Sequence, residues 1–592
     1  MAVDSKPSTA RGVAWDLGDL YAGPDDPRLD ADLAAALKRA EAFEAAYRGK
    51  AAQHLAAAVA ELESLGEQMD KPAIYASLLH AALTTDPRHG ALVAKTREKR
   101  TAINKHLIFF DLEWVALDDA TATRLMADPA VARWRHWLGK KRVFKPHFLT
   151  EPEEKILDEK SITGKAAFVR LFDETVSALE FDLDGKKNLQ QVLSGLYSPD
   201  RSHRQAAAAS LTAGLKSHSR LLSYILNTLV QDHKSDCELR RYPSAMSPRN
   251  MDNEIEPAVV DALMQAAEQH FPTVQRYYRL KAKLLGLDRL ADYDRYAPIS
   301  GETPEVDWPT ARRLVAESYD QFSKEAGAIV RDFFDKRWID ADPRDGKRGG
   351  AFSASGVPSG HPYILMSYQD RMRDVMTLAH ELGHGVHQWL SRGVGYLECD
   401  TPLTTAETAS VFGEMLTFKR LQQAYPDPKA RLALLCGKIE DGFATVFRQV
   451  VLTRFEQSVH AARRDEGELS PDRIDELWMA ANAPMHGDTV ELTPGYACWW
   501  SYIGHFVHSP FYCYAYAFGE LLVLALVKRY EQEGAAFVPK YLAMLSAGGS
   551  KPPHELVAAL GVDVTDPAFW GLGLSLLDDM VAEAERLAGG AR

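Results

Sequence analysis

From Asp30 to about Lys140, apolar residues recur at helical spacing, with Leu33, Leu37, Ala40, Phe43 and Tyr47 on one stripe. The stripe predicts amphipathic helices packed in a bundle, with no chemistry on that face. Near Ser177 the period changes. Leu179, Phe181 and Leu183 alternate with polar residues into Asp184-Gly185, which predicts a strand and a tight turn. A break at Ser198-Pro199-Asp200 is the expected boundary between two domains, residues 1–200 and 201–592. Helical texture resumes over Arg204 to Val230 and Glu256 to Leu285, and continues to the end apart from one passage. That passage runs from Arg348-Gly-Gly-Ala-Phe-Ser353 to Pro362-Tyr-Ile-Leu-Met-Ser-Tyr368, first Gly-rich and then β-prone, and it predicts strand-like structure. No internal repeat is present.

Composition narrows the partners. The chain has 592 residues, 46% hydrophobic and 26% charged, which is ordinary for a globular protein and too apolar for low-complexity disorder. A formal net charge of −13 argues against nucleic acid, whose binding needs clustered Lys and Arg. Cys237, Cys399, Cys436, Cys498 and Cys513 are scattered and form no CxxC pair, which points to a reducing cytoplasm. The N-terminal stretch MAVDSKPSTARG has no apolar signal core, and the run Leu521 to Val527 is far short of the roughly 20 residues of a membrane span. Neither secretion nor membrane insertion is expected.

The informative segment is Thr377-Leu-Ala-His-Glu-Leu-Gly-His-Gly-Val-His387. Residues four apart on a helix stand one above the other, so His380 and His384 can direct two imidazole nitrogens at one metal ion. Glu381 is turned about 100° from His380, where it can reach a water held by the metal without ligating the metal itself. It is then suited to accept that water's proton. HExxH also occurs by chance on exposed helix faces. Here Val375, Met376, Leu378, Ala379, Leu382, Val386 and Trp389 make the flanks apolar enough for burial, and buried ionisable groups need a partner such as zinc.

A catalytic zinc takes a third protein ligand and leaves one position open. The pattern HExxHxxGxxH is excluded, because positions 387 and 390 hold His387 and Leu390. A Glu on a later helix is the alternative. Ala406 to Glu414 offers Glu407 and Glu414, seven apart and expected on one face of one helix. Glu407 is the expected ligand, with Glu398 and Asp400 as competitors, and Glu414 suits a carboxylate that orients a ligand histidine. His387, one turn beyond His384, is read as structural or supporting.

These residues resemble the thimet oligopeptidase and oligoendopeptidase F family of zinc peptidases, closest to its oligoendopeptidase F branch. The resemblance rests on Trp15 to Tyr21, Pro362 to Asp370, Thr377 to His387, Ala406 to Ser410, Phe511 to Ala517 and Gly548 to Ser550, in the family's order and nearly end to end. It implies a mainly α-helical fold, in which two helical lobes enclose a deep substrate channel and a small β-sheet lies beside the HExxH helix. The N-terminal lobe would be residues 1–200 and the catalytic zinc peptidase domain 201–592. It implies one Zn2+ per chain on His380, His384 and Glu407, with Glu381 as general base. It also implies a His and several Tyr near the C-terminus that hold the substrate carbonyl. His505 and Tyr516 match these best, with Tyr512 beside them. An insertion around His508-Ser509-Pro510 leaves His508 a rival of His505, and Tyr514 a rival of Tyr512.

The expected function is zinc-dependent hydrolysis of internal bonds in short unstructured peptides. Zinc, Tyr516 and His505 would stabilise the charge on the carbonyl oxygen, while Glu381 returns the proton to the departing amine. The run Tyr363 to Tyr368 is expected to offer a free strand edge for an extended peptide, with Gly349 and Gly350 allowing close approach. A carboxypeptidase or dipeptidyl carboxypeptidase on the same framework is one rival, although no cation for a free C-terminal carboxylate can be picked from sequence. A non-catalytic zinc-containing peptide-binding protein is another, disfavoured because a structural site has no use for the acid at 381. Oligomeric state and side-chain preference are not legible.

Overall fold

A computed structural model describes residues 7–299 and 304–590; the first six residues of the N-terminal stretch discussed above lie outside them. The fold is mainly helical, with three small sheets among the described residues. Among the described residues no helix is long and apolar enough to cross a membrane, and the five cysteines are unpaired. The chain divides into two compact units, each built from three segments. The first comprises Met1–Lys145, Thr303–Tyr425 and Arg529–Asp563, and the second Pro146–Glu302, Pro426–Lys528 and Val564–Arg592. The Ser198-Pro199-Asp200 break lies inside the second unit, where Asp200 caps helix Arg201–Ser217 by accepting from the Ser202 N–H at 3.0 Å.

In the first unit, helices Pro27–Tyr47, Leu55–Ala82 and Pro87–Asn104 pack on one another, and Leu33, Ala40 and Phe43 of the predicted stripe are buried. The Trp15 to Tyr21 segment packs on a three-stranded sheet, with Trp15 6.5 Å from the Phe352 ring and 6.1 Å from the Tyr363 ring. In that sheet Tyr363–Leu365 is the central strand, parallel to Ile339–Asp340 on one side and antiparallel to Phe352–Ala354 on the other. This corrects the reading of Tyr363 to Tyr368 as a free edge. Its β-prone, fully buried residues mark a strand covered on both flanks, and the edge strand is Phe352–Ala354. Lys347 ties the sheet's end together, donating to Asp340 Oδ1 at 2.7 Å and to the Met366 carbonyl at 2.5 Å.

The motif lies on helix Met372–Ser391, opened by Asp374, whose carboxylate accepts from the backbone N–H groups of Gln369 and Arg371. Val375, Leu378, Ala379, Leu382 and Val386 are buried, as the apolar flanks implied. The sheet lies against this helix, and helices Ser410–Ala424 and Phe537–Ser546 pack on it.

In the second unit, the alternation of Leu179, Phe181 and Leu183 becomes strand Phe181–Asp182, paired with Lys186–Lys187 through a turn with positive φ at Asp184 and Gly185. Those three apolar side chains enter a core shared with helices Arg201–Ser217, Ser219–Leu239 and Phe447–Glu466.

Candidate metal centre

Helical spacing on Met372–Ser391 sets His380 above His384, their ring centroids 4.9 Å apart. The next segment brings a carboxylate to both. Glu407 Oε2 stands 3.3 Å from His380 Nε2 and 3.5 Å from His384 Nε2. One donor atom from each of these residues lies within 4.8 Å of the others, and among the described residues this is the sole such trio.

Gly383 makes the approach possible. A β-carbon there would sit 2.3 Å from the Ala409 carbonyl oxygen and 2.5 Å from Ser410 Cα, so only glycine lets the Glu407–Ser410 backbone lie on the motif helix.

One expectation needs correction. Glu407 and Glu414 do not share a continuous helix. Leu403–Ala406 is a short helix with Glu407 at its C-cap, and a new helix begins at Ser410. Local competition breaks the ladder: the Thr408 carbonyl accepts from the Tyr541 hydroxyl at 2.8 Å, and the Ser410 hydroxyl donates to Glu407 Oε2 at 2.6 Å. Glu414, on the second helix, lies 3.3 Å from His380 Nδ1, the nitrogen turned away from the trio. The His380 imidazole is thus oriented from behind.

The other candidates are placed elsewhere. Glu398 is buried, accepts from the Trp137 N–H at 2.9 Å and lies 3.6 Å from His136. Asp400 is outside the trio but lines the adjoining cavity. His387 is buried on that cavity's wall and held neutral, its pKa pushed down to about 3 by burial and by His384.

Charge is distributed unevenly over the site. Burial disfavours a charged His380, but Glu414, Glu407 and Glu381 more than offset this and its pKa rises. Burial holds His384 down to about 4 despite the attraction of Glu407, which keeps it in the neutral form that ligates metals. Burial, reinforced by Glu407 and opposed by His380, pushes Glu381 up to about 7. Glu381 does not join the trio, yet it faces the same cavity of about 590 Å³. Sequence reasoning missed Gln388 and Ser353. Ser353 on the edge strand donates its hydroxyl to Gln388 Oε1 at 2.7 Å and accepts from Gln388 Nε2 at its carbonyl, 3.2 Å away. Gln388 was findable, since it is eight residues past His380 on the same helix face; Ser353 carries no such signal.

The aromatic loop belongs to the second unit. His505 Nε2 lies 3.2 Å from the Tyr516 hydroxyl, and the Tyr512 ring stacks over His505 at 6.1 Å and meets Tyr516 edge-on at 5.1 Å. Tyr516 is 38% exposed. Tyr514 is fully buried, donating to Asn250 at 2.8 Å and accepting from Asn253 at 2.9 Å. His508 is engaged with Asp173 at 2.8 Å and the Gly504 carbonyl at 2.8 Å. His505, Tyr512 and Tyr516 therefore form one group, from which Tyr514 and His508 are turned away.

Two histidines and a glutamate on an HExxH scaffold, with the buried acid Glu381 beside them, define a metallopeptidase. The sequence model of Peptidase family M3 matches residues 194–575, and that named Oligopeptidase F matches residues 113–181, so the chain belongs to peptidase family M3. It is a metallo-oligopeptidase. It is 26% identical over 587 residues to the oligoendopeptidase F homolog of Lactococcus lactis subsp. lactis, covering 97% of each chain. Two crystal structures share its fold. One is a Chlamydophila abortus protein, with TM-score 0.87 and 23% identity over 96% of this chain and 98% of that one. The other is oligoendopeptidase-F from Enterococcus faecium, with TM-score 0.68 and 24% identity over 94% and 97%.

Proposed function

We propose that this protein is a zinc-dependent oligoendopeptidase that cleaves internal bonds of short, unstructured peptides. The observation that carries this reading is the convergence of His380, His384 and Glu407 beside a cavity that Glu381 enters without joining the trio. The donor set suits zinc: two imidazoles and one carboxylate, each offering one atom, leave a fourth position for the reaction. His380, His384 and Glu407 would hold the ion, which when bound supplies Lewis acidity and lowers the pKa of a water toward roughly 7.

The chain's own residues do the rest. Glu414 holds the His380 imidazole in the ligating orientation. Glu381 takes the proton of the attacking water and returns it to the nitrogen of the departing amine, so no covalent enzyme intermediate arises. Tyr516 donates its hydroxyl toward the carbonyl oxygen as negative charge collects there, His505 donates through Nε2 to that hydroxyl and strengthens it as a donor, and Tyr512 supports both rings. Pairing with an extended peptide falls to Ser353 on the edge strand Phe352–Ala354, whose carbonyl Gln388 would release, and not to Tyr363–Leu365.

Peptides blocked by N-acetylation and C-amidation test the reading, with mass spectrometry of the products before and after chelation. Internal cleavage of doubly blocked peptides, lost with chelator and regained with zinc, is expected. Cleavage only of peptides with a free C-terminus would reassign the enzyme as an exopeptidase, and no cleavage by zinc-loaded protein would leave a peptide binder.

A further inference from the structure

The cavity beside the trio extends well beyond it. His380, Glu381, His384, His387, Gln388 and Ser391 all line it, a single face of the motif helix. Ser391 lies seven residues past His384, roughly 10 Å further along the axis at about 1.5 Å per residue. Asp400 is at that end. A β-carbon on Gly548 would lie 3.1 Å from Ser391 Cβ and 3.2 Å from the Cys399 carbonyl oxygen, and one on Gly549 would lie 2.1 Å from the Asp400 carbonyl oxygen. The Gly549 N–H also donates to the Glu398 carbonyl at 2.7 Å. The Gly548-Gly549-Ser550 stretch, which the metal chemistry leaves unused, is thus the seat on which residues 398–400 rest beside Ser391.

The charge at this seat is unbalanced. No Lys or Arg among the described residues lines the cavity. Among the described residues the Asp400 carboxylate has neither a hydrogen bond nor a cation within ion-pair distance, whereas neighbouring Asp70 is engaged by the Tyr396 hydroxyl at 2.5 Å and by Arg100 at 3.1 Å. The Asp400 side chain is exposed and lines the cavity, where a cation brought in from outside can reach it.

We propose that this cavity is a specificity subsite for a basic side chain, Lys or Arg, of the peptide substrate, with Asp400 as its acceptor. The proposal deepens the peptidase reading and rests on it. A peptide's free amino terminus carries the same kind of charge, so the test removes it.

The experiment uses zinc-loaded protein and a set of N-acetylated, C-amidated peptides in which each position around the cleaved bond is in turn Lys, Arg, norleucine or Glu. At one position, kcat/KM for Lys or Arg should exceed that for norleucine about 10-fold or more, with Glu poorest. Asp400→Asn should bring the Lys-to-norleucine ratio to within about 2-fold, and Asp400→Lys should make Glu the better residue. Zinc content and thermal midpoint, measured in parallel, show whether each variant is folded. Kd values of the same peptides with zinc-loaded Glu381→Gln, alone and combined with Asp400→Asn, read the subsite independently of turnover. No cleavage of any peptide by the wild type would sink the peptidase reading alone, since these Kd values still report the subsite. The subsite is overturned if no position prefers a basic residue in either measurement, if Asp400→Asn leaves the preference intact, or if the preference appears only with unacetylated peptides.

Discussion

A β-carbon placed on Gly383 would lie 2.3 Å from the carbonyl oxygen of Ala409, so the motif helix and the segment carrying Glu407 touch backbone to backbone. Gly383→Ala should therefore reverse the usual gain of about 0.5–1 kcal/mol for this exchange within a helix. We expect a loss of about 1–3 kcal/mol in denaturant unfolding, together with weaker zinc retention on dialysis. A more stable variant that keeps its zinc would mean the contact does not set the position of Glu407.

Glu407→Ala should lose zinc on dialysis. Glu414→Ala should lower metal affinity or activity only about 10- to 100-fold, because it removes a group that orients His380 rather than a donor. Atomic absorption on both variants decides this, and equal retention of zinc would remove Glu407 from the trio.

Glu381→Gln should keep its zinc and its thermal midpoint while kcat falls by about 10²- to 10⁴-fold, since the grip stays and the proton acceptor goes. Substantial hydrolysis by the zinc-loaded variant would refute the assignment.

Tyr516 and Tyr514 should part ways. Tyr516→Phe is expected to lower kcat about 10²-fold with little change in KM, as for a donor engaged chiefly in the transition state. Tyr514→Phe strands Asn250 and Asn253 in the core, and should cost about 1–3 kcal/mol of stability. Kinetics and chemical denaturation on the pair would expose the opposite pattern if the roles were exchanged.

Glu456 supplies a pH dependence in the second unit. It is buried beneath Phe511, whose N–H donates to Oε1 at 2.8 Å, while Oε2 has no partner. Burial pushes its pKa up to about 8, against the opposing Phe511 N–H and Arg249. The unfolded carboxyl releases its proton near 4.5 and the folded one near 8, so between these values the unfolded state binds fewer protons and stability falls as pH rises. Relative to Glu456→Gln, the wild type should lose a few kcal/mol between pH 5 and pH 9 in parallel urea titrations. A difference that does not change with pH would show that Glu456 ionises normally.

What the sequence by itself determined is local. The four-residue step from His380 to His384, the acid between them and the apolar flanks follow from helical periodicity. The Leu179-Phe181-Leu183 alternation into Asp184-Gly185 is a property of a pleated strand and a turn that needs positive φ. These are decided within a few residues, so periodicity and turn chemistry suffice to read them. Tertiary structure decided whatever depends on a partner distant in sequence. Tyr541 takes the Thr408 carbonyl and so ends the helix that spacing would have carried from Glu407 to Glu414. Strands on both flanks make Tyr363–Leu365 central, and neighbour count cannot be read from a strand's own residues. Asn250 and Asn253 claim Tyr514 for the core, and Asp173 claims His508, which leaves Tyr516 and His505 to each other. Asp400 was visible only as a rival metal ligand, because a carboxylate's role depends on which cations stand near it, and that is set by packing against Gly549, 149 residues away.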